Sequence, residues 1–328
     1  MTRVLLVRLS AMGDVVHSLG AVEALARARP DLELHFVLQR PFAPLLEGLD
    51  HLSSVIPHQR RPAIAGLART GKGLRRMGFD VALDLQGNWK SALVCRLSGA
   101  RRRVGAAGAQ RREPASRLLL TEEASVDGAP HPASIAHAVI RELAPEAAEL
   151  PSRLVATEEE VAREAAAVRA VGVDPSAPFR VVVCSGDSDP RAWPVPAMER
   201  EVRGDGPPAL WVAGPAERGA ALPDDARVVQ HGPGELRRLV GLGHLLVRAG
   251  GIALGPDRGA THVLSACGAD TRVMFGPQDP ARTAPRGGSV WVKRDGPSCV
   301  PCRERRCTHP EGPVCMDFTS AEARQWTL

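Results

Sequence analysis

Short apolar runs alternate with longer amphipathic ones along most of this 328-residue chain, and that alternation restricts the fold more than any other feature. "RVLLVRL" (3–9), "LELHFVLQ" (32–39), "SSVIP" (53–57) and "FDVALDLQG" (79–87) read as strands. The intervening stretches at 13–30, 41–49, 63–78 and 91–100 carry apolar residues at helical spacing. Strands separated by crossover helices imply a parallel sheet covered on both faces. A basic loop (101–117) and a helix-rich stretch (His131–Val171) follow, the latter with the capping-box pair Thr157 and Glu160. The alternation then restarts with "FRVVVCSG", "PALWVAG", "ARVVQ", "IALG" and "DTRVMFG". The chain therefore reads as two Rossmann-like α/β halves joined near 145–175, with domains expected at 1–155 and 156–328. No GxGxxG follows the first strand, which argues against a dinucleotide site, and "GLGHLL" (241–246) falls inside a helical pattern.

Charge is unevenly spread. Residues 60–117 hold 14 basic and 3 acidic side chains, a net of +11, whereas the second half is neutral. Such a face attracts anions such as nucleic acid, lipid head groups or acidic sugars. No zinc-finger, RRM or KH motif appears, and aromatics for base stacking are few, so nucleic acid is not the expected partner. No apolar run reaches the ~20 residues of a membrane span, and "VLLVRLSAM" makes a poor signal peptide. Cys95, Cys184 and Cys267 lie singly in apolar settings, as reduced core residues of a cytoplasmic protein do.

Asp14 falls where the first strand hands over to a helix, at the edge of the sheet where α/β proteins bind ligands. From the residues alone an N-terminal helix cap is the favoured reading. Cys299, Cys302, Cys307 and Cys315 form a C-x2-C-x4-C-x7-C cluster that suits a closed structural zinc or iron site, with free thiols as the alternative.

Four stretches, "LVRLSAMGDVVHSLGAV", "DVALDLQGNWKSALVCRLSGARRRVG", "GPDRGATHVLSACGADTRVMFGPQDPARTAP" and "CVPCRERRCTHPEGPVCM", resemble, in order, the successive motifs of the heptosyltransferases, glycosyltransferase family nine. The resemblance implies a GT-B fold, two Rossmann-like domains facing across a cleft. The activity it implies is inverting transfer of heptose from ADP-heptose to an inner-core lipopolysaccharide saccharide. By the same resemblance the first domain binds the acceptor and the second the nucleotide sugar. Asp14 matches the general base. Met12, Gly13, Ser185, Ser188, Arg191, Glu217, Asp257, Arg258, Gly259, Ala260 and His262 are the expected donor-binding residues. Arg191 stands where the family usually has Lys, and Arg258 where it has a small hydroxyl residue.

Arg60, Arg61, Gln86, Asn88, Lys90 and Arg103 are the expected acceptor contacts, suited to the acidic groups of a lipid-linked saccharide at the inner face of the inner membrane. No catalytic metal is expected, because "DSD" (187–189) sits in the phosphate-contacting loop. The two arginines leave open a transferase of the same fold that uses another nucleotide sugar or a protein acceptor. A non-catalytic saccharide-binding or scaffold protein is the reading from another class, against which Asp14, Asp257 and His262 speak.

Overall fold

The computed structural model describes the chain apart from residues 60–62, 128–130, 186–188, 205, 215–221, 233 and 327–328, and gives only the backbone of 63–65. It divides into two compact units, Met1–Arg153 and Leu154–Leu328.

The first unit runs β1 (Thr2–Val7), α1 (Met12–Ala28), β2 (Leu32–Gln39), β3 (Ser54–His58), α2 (Ala63–Met77), β4 (Val81–Asp84), α3 (Trp89–Leu97), β5 (Arg102–Ala106), β6 (Glu122–Ala124) and α4 (Pro132–Arg141). Its six strands are all parallel, in the order β3-β2-β1-β4-β5-β6. Val4 to Val7 of β1 are fully buried, as expected of a central strand covered on both faces. One face packs Leu5, Val7, Val37 and Ala82 against Leu74, Phe79, Val94 and Cys95.

The second unit runs α5 (Glu158–Ala170), β7 (Arg180–Val183), α6 (Val195–Val202), β8 (Ala209–Ala213), β9 (Arg227–Gln230), α7 (Leu236–Arg248), β10 (Ile252–Pro256), α8 (Gly259–Ala266), β11 (Asp270–Phe275), α9 (Pro280–Thr283), β12 (Ser289–Lys293) and β13 (Ala323–Trp326). Its sheet order is β13-β12-β11-β10-β7-β8-β9, parallel except for the antiparallel edge strand β13. Without that edge strand it repeats the doubly wound order of the first unit. Each sheet therefore has one point where the strand order reverses, β1/β4 in the first and β7/β10 in the second. Crevices for ligands open there, at the carboxyl ends of the strands.

One difference between sequence and structure comes from a polar strand. The basic stretch expected as loop contains β5, because Arg102 and Arg103 pair in register with Val81 and Ala82. The "GLGHLL" glycines lie in α7 and serve packing. A Cβ at Gly241 would stand 2.9 Å from the Glu160 carbonyl oxygen, and one at Gly243 would stand 2.7 Å from Cys267 Sγ. Three ion pairs then tie α5 to α7: Glu158–Arg248 at 2.6 Å, Glu160–Arg237 at 2.6 Å and Glu164–Arg238 at 2.8 Å. Hydrogen bonding from Arg237 holds the Glu160 carboxyl down at about 2, against the burial that would raise it. Among the described residues no helix is long and apolar enough to cross a membrane.

Asp84, the last residue of β4, is fully buried with Arg111, 2.5 Å away. Its other oxygen accepts from the amides of Gln86 and Gly87, both at 3.0 Å. Arg111 also donates to Ser116 Oγ at 2.9 Å. Removing one partner of a buried pair strands the other charge, at a cost of about 3–5 kcal/mol. Arg111→Ala should therefore lower the urea-denaturation stability of the first unit by about that much. A loss under about 1 kcal/mol would show that the pair is not needed.

Candidate active site

At the β1/β4 reversal, α1 begins directly beyond the end of β1. Met12 and Gly13 form its first turn, both half-buried, and Asp14 follows with its side chain 34% exposed. The Asp14 Oδ2 atom lies 2.8 Å from Arg8 Nη2 and accepts from the Ala11 amide at 3.3 Å. Arg8 is itself buried, and its other terminal nitrogen donates to the Leu85 carbonyl beyond β4. The carboxylate is thus fixed from beneath by a guanidinium that also ties β1 to the β4 loop. Asp14 does take up the capping contact, but only with one oxygen.

Gln86 accepts from the Leu9 amide at 2.7 Å and so joins the two strand ends across the reversal. Asn88 caps α3, accepting from the Ser91 amide at 3.0 Å. A cleft of about 520 Å³ opens here, lined by Ser10, Gln86, Asn88, Trp89 and Lys90 among others. Trp89 is 44% exposed. His58 also lines it, with burial and the nearby Lys90 charge lowering the imidazole pKa.

At the β7/β10 reversal, Ser185 follows β7, and its buried hydroxyl has no hydrogen-bond partner among the described residues. Asp189 bridges two guanidiniums: Arg191 at 3.0 and 2.8 Å, and Arg258 at 2.8 Å. Burial works to raise the Asp189 carboxyl, but the hydrogen bonds from Arg191 and the charges of both arginines outweigh it and hold it at about 2. Two residues on, Trp193 is a buried ring whose Nε1 donates to the Phe318 carbonyl at 2.9 Å.

Arg258 is the N-cap residue of α8, and Gly259 and Ala260 form the first turn behind it. Amides of a first turn lack intrahelical acceptors and attract anions. The Arg258 Nε is buried without a partner among the described residues. Gly255 is required just before, since a Cβ there would stand 2.8 Å from both Thr261 Oγ1 and Val183 Cβ. Asp257, only 5% exposed, has its Oδ1 2.9 Å from His262 Nε2, while its Oδ2 accepts from Thr283 Oγ1 at 3.1 Å. Asp189 and Asp257 offset the two arginines, and the arrangement presents guanidinium donors, orphan amides and an unsatisfied hydroxyl, groups that suit a diphosphate.

The structure thus brings Ser185, Arg191, Asp257, Arg258, Gly259, Ala260 and His262 to one strand edge, and Met12, Gly13, Asp14, Gln86, Asn88 and Lys90 to another. Arg103 belongs to neither. It lies near the amino end of β5, opposite the ligand edge, and its guanidinium donates to the carbonyls of Leu119 at 2.9 Å and Ala100 at 2.8 Å, which corrects its expected role in acceptor binding. Arg60, Arg61, Ser188 and Glu217 lie outside the described residues. Arg8, Asp189 and Thr283 were not found from sequence. Asp189 alone left a signal there, two residues before Arg191 in "DSDPR".

Burial foremost, and then the neighbouring thiols of Cys299, Cys302 and Cys307, raise the Cys315 thiol to about 11. The four sulfurs are soft donors in one loop, yet among the described residues no three His, Cys, Asp or Glu side chains converge as a metal site requires. The donor set suits zinc or iron.

Residues 67–196 match the family Glycosyltransferase family 9 (heptosyltransferase). Lipopolysaccharide heptosyltransferase 1 of Pseudomonas aeruginosa is 29% identical over 94% of this chain and 88% of that protein. Among solved structures, the family 9 glycosyl transferase from Veillonella parvula matches with a TM-score of 0.77 at 16% identity, covering 92% of this chain and 89% of that one. The E. coli heptosyltransferase WaaC with ADP matches with a TM-score of 0.68 at 21% identity, covering 88% and 92%. The fold is accordingly the GT-B kind.

Asp189 contributes stability that is present above its ordinary pKa near 3.8 and is lost as pH falls towards about 2. The shift corresponds to about 2 kcal/mol. Asp189→Asn should destabilise the second unit by up to about 2 kcal/mol at pH 7, with the gap to the parent narrowing below about pH 4, as read by urea denaturation at stepped pH. A gap that is constant with pH would contradict the assignment.

Proposed function

We propose that the protein is an inverting heptosyltransferase that moves heptose from ADP-heptose to an acidic saccharide of the lipopolysaccharide inner core. The observation that carries this reading is the pair of reversal points, one with a fixed and partly exposed carboxylate, the other with two arginines held together by Asp189. The name of the Pseudomonas relative, 29% identical over nearly the whole chain, supports the donor sugar and acceptor.

In this mechanism Arg191, Arg258, Ser185 and the first-turn amides of α8 receive the pyrophosphate. Asp257, steadied by His262, meets the hydroxyls of the donor sugar. Asp14 Oδ1, the oxygen not engaged by Arg8 and Ala11, takes the proton of the acceptor hydroxyl as that oxygen attacks the anomeric carbon. The bond from that carbon to the diphosphate breaks, ADP departs, and configuration inverts. Gln86, Asn88 and Lys90 line the acceptor side. The basic 60–117 segment would draw the enzyme to the anionic inner face of the membrane, where its lipid-linked acceptor lies. The protein would otherwise be cytoplasmic.

General bases contribute about 10²- to 10⁴-fold. Asp14→Asn should therefore lower transfer at least about a hundredfold, measured with purified acceptor, while ADP-heptose affinity stays within about threefold. Unchanged turnover would refute the base role.

The cysteine loop is read as a structural clip for zinc or iron, holding chain rather than substrate, which would require its thiols to draw together from the arrangement described above. Protein purified without chelator should contain about one equivalent of metal, lost in Cys302→Ser. Metal-free parent protein would overturn the clip.

A further inference from the structure

The segment after β11 connects two regions that the mechanism treats separately. It leaves the strand at Gly276, where a Cβ would stand 2.9 Å from Cys315 Sγ and 2.6 Å from Met316 Sδ, so the cysteine loop packs directly on the start of this arm. Arg303, between Cys302 and Cys307, then holds the arm twice. Its amide donates to the Pro277 carbonyl at 2.7 Å, and its guanidinium donates to Asp279 Oδ2 at 2.9 Å.

Arg303 does so at a φ of 60°, a left-handed conformation uncommon for a residue with a side chain and sustained only where surrounding contacts enforce it. The other Asp279 oxygen accepts from the Ala281 amide at 3.1 Å and caps α9. The last residue of α9 is Thr283, whose hydroxyl reaches Asp257 Oδ2.

We infer that Thr283 is a positioning residue for donor-sugar recognition, and that Arg303 of the cysteine loop holds it in place. This deepens the proposed function, since it rests on Asp257 meeting the sugar. Asp257 is almost fully buried and held at both oxygens, His262 fixing one and Thr283 the other. A carboxylate oxygen carries about two acceptor sites, so each keeps one for a sugar hydroxyl. Two fixed points determine the plane of the carboxylate; with His262 alone the group would turn about its Cβ–Cγ bond. Thr283 reaches Asp257 Oδ2, and its effect on the sugar is carried through that carboxylate. The strut from the thiol loop to Asp257 uses only groups of the second unit, and it makes the order of that loop a determinant of sugar binding.

The test is calorimetric titration of the full-length protein with ADP and, separately, with ADP-heptose. Thr283→Val keeps the shape and removes the hydroxyl. It should leave ADP affinity within about twofold and weaken ADP-heptose about tenfold. Thr283→Ser, which retains the hydroxyl, should recover most of that loss. Arg303→Gln should weaken ADP-heptose about threefold, again sparing ADP. Parent-like binding of both ligands by Thr283→Val overturns the inference alone. So does an equal loss for both ligands, which marks a general structural role. Equal affinity of the parent protein for ADP and ADP-heptose overturns the heptose reading and this inference with it.

Discussion

Arg8 joins three elements with one buried side chain. It arises just past the end of β1, donates to the carbonyl of Leu85 beyond β4, and grips Asp14 in the first turn of α1. A doubly wound sheet opens its crevice where two neighbouring strands send their connections in opposite directions, and there the backbone has least support from its own secondary structure. The guanidinium supplies that support from below, and Gln86 supplies it from the side through the Leu9 amide. The buried Asp84–Arg111 pair does the same one strand over. The crevice is thus framed by buried charge on a parallel sheet of apolar strands, which keeps a carboxylate at the mouth in one orientation.

The second unit solves the same geometric problem with opposite polarity. At the corresponding reversal the carboxylate is the central group and the guanidiniums flank it. Asp189 keeps Arg191 and Arg258 together, two like charges that would otherwise repel, and leaves their remaining donors free to meet phosphate oxygens. The repeated strand order therefore gives two edges of similar construction and different chemistry, suited to proton abstraction at one and anion binding at the other.

Much of this was legible in the sequence, because central strands and amphipathic helices carry strong periodic signals. β1, β2 and α1 lie close to where apolar spacing puts them, and Asp14 is found at the strand-to-helix junction that the pattern indicates. The short polar strands β5 and β6 carry no such signal; β5 lies in a run of arginines that reads as solvated loop until pairing with β4 is known. Arg8 reads as an interruption in an apolar run, with nothing local to reveal its partner six residues on. Thr283 and Asp257 are 26 residues apart and are brought together only by the course of the arm after β11. Residue type, spacing and resemblance pick out candidate ligand-binding groups. The groups that aim them are identified by tertiary contacts.

The end of the first unit adds a constraint of its own. Gly20 lies six residues beyond Asp14 on the same helix, and a Cβ there would stand 2.0 Å from the Leu150 carbonyl oxygen, so the outgoing chain lies directly on the helix backbone. The Gly20 amide reaches Ser152 Oγ at 3.3 Å, one residue before the unit ends. The rod that carries the carboxylate is also the mooring of the tether to the following unit. Gly20 and Asp14 lie less than two helical turns apart, so both attachments fall on one short stretch of α1.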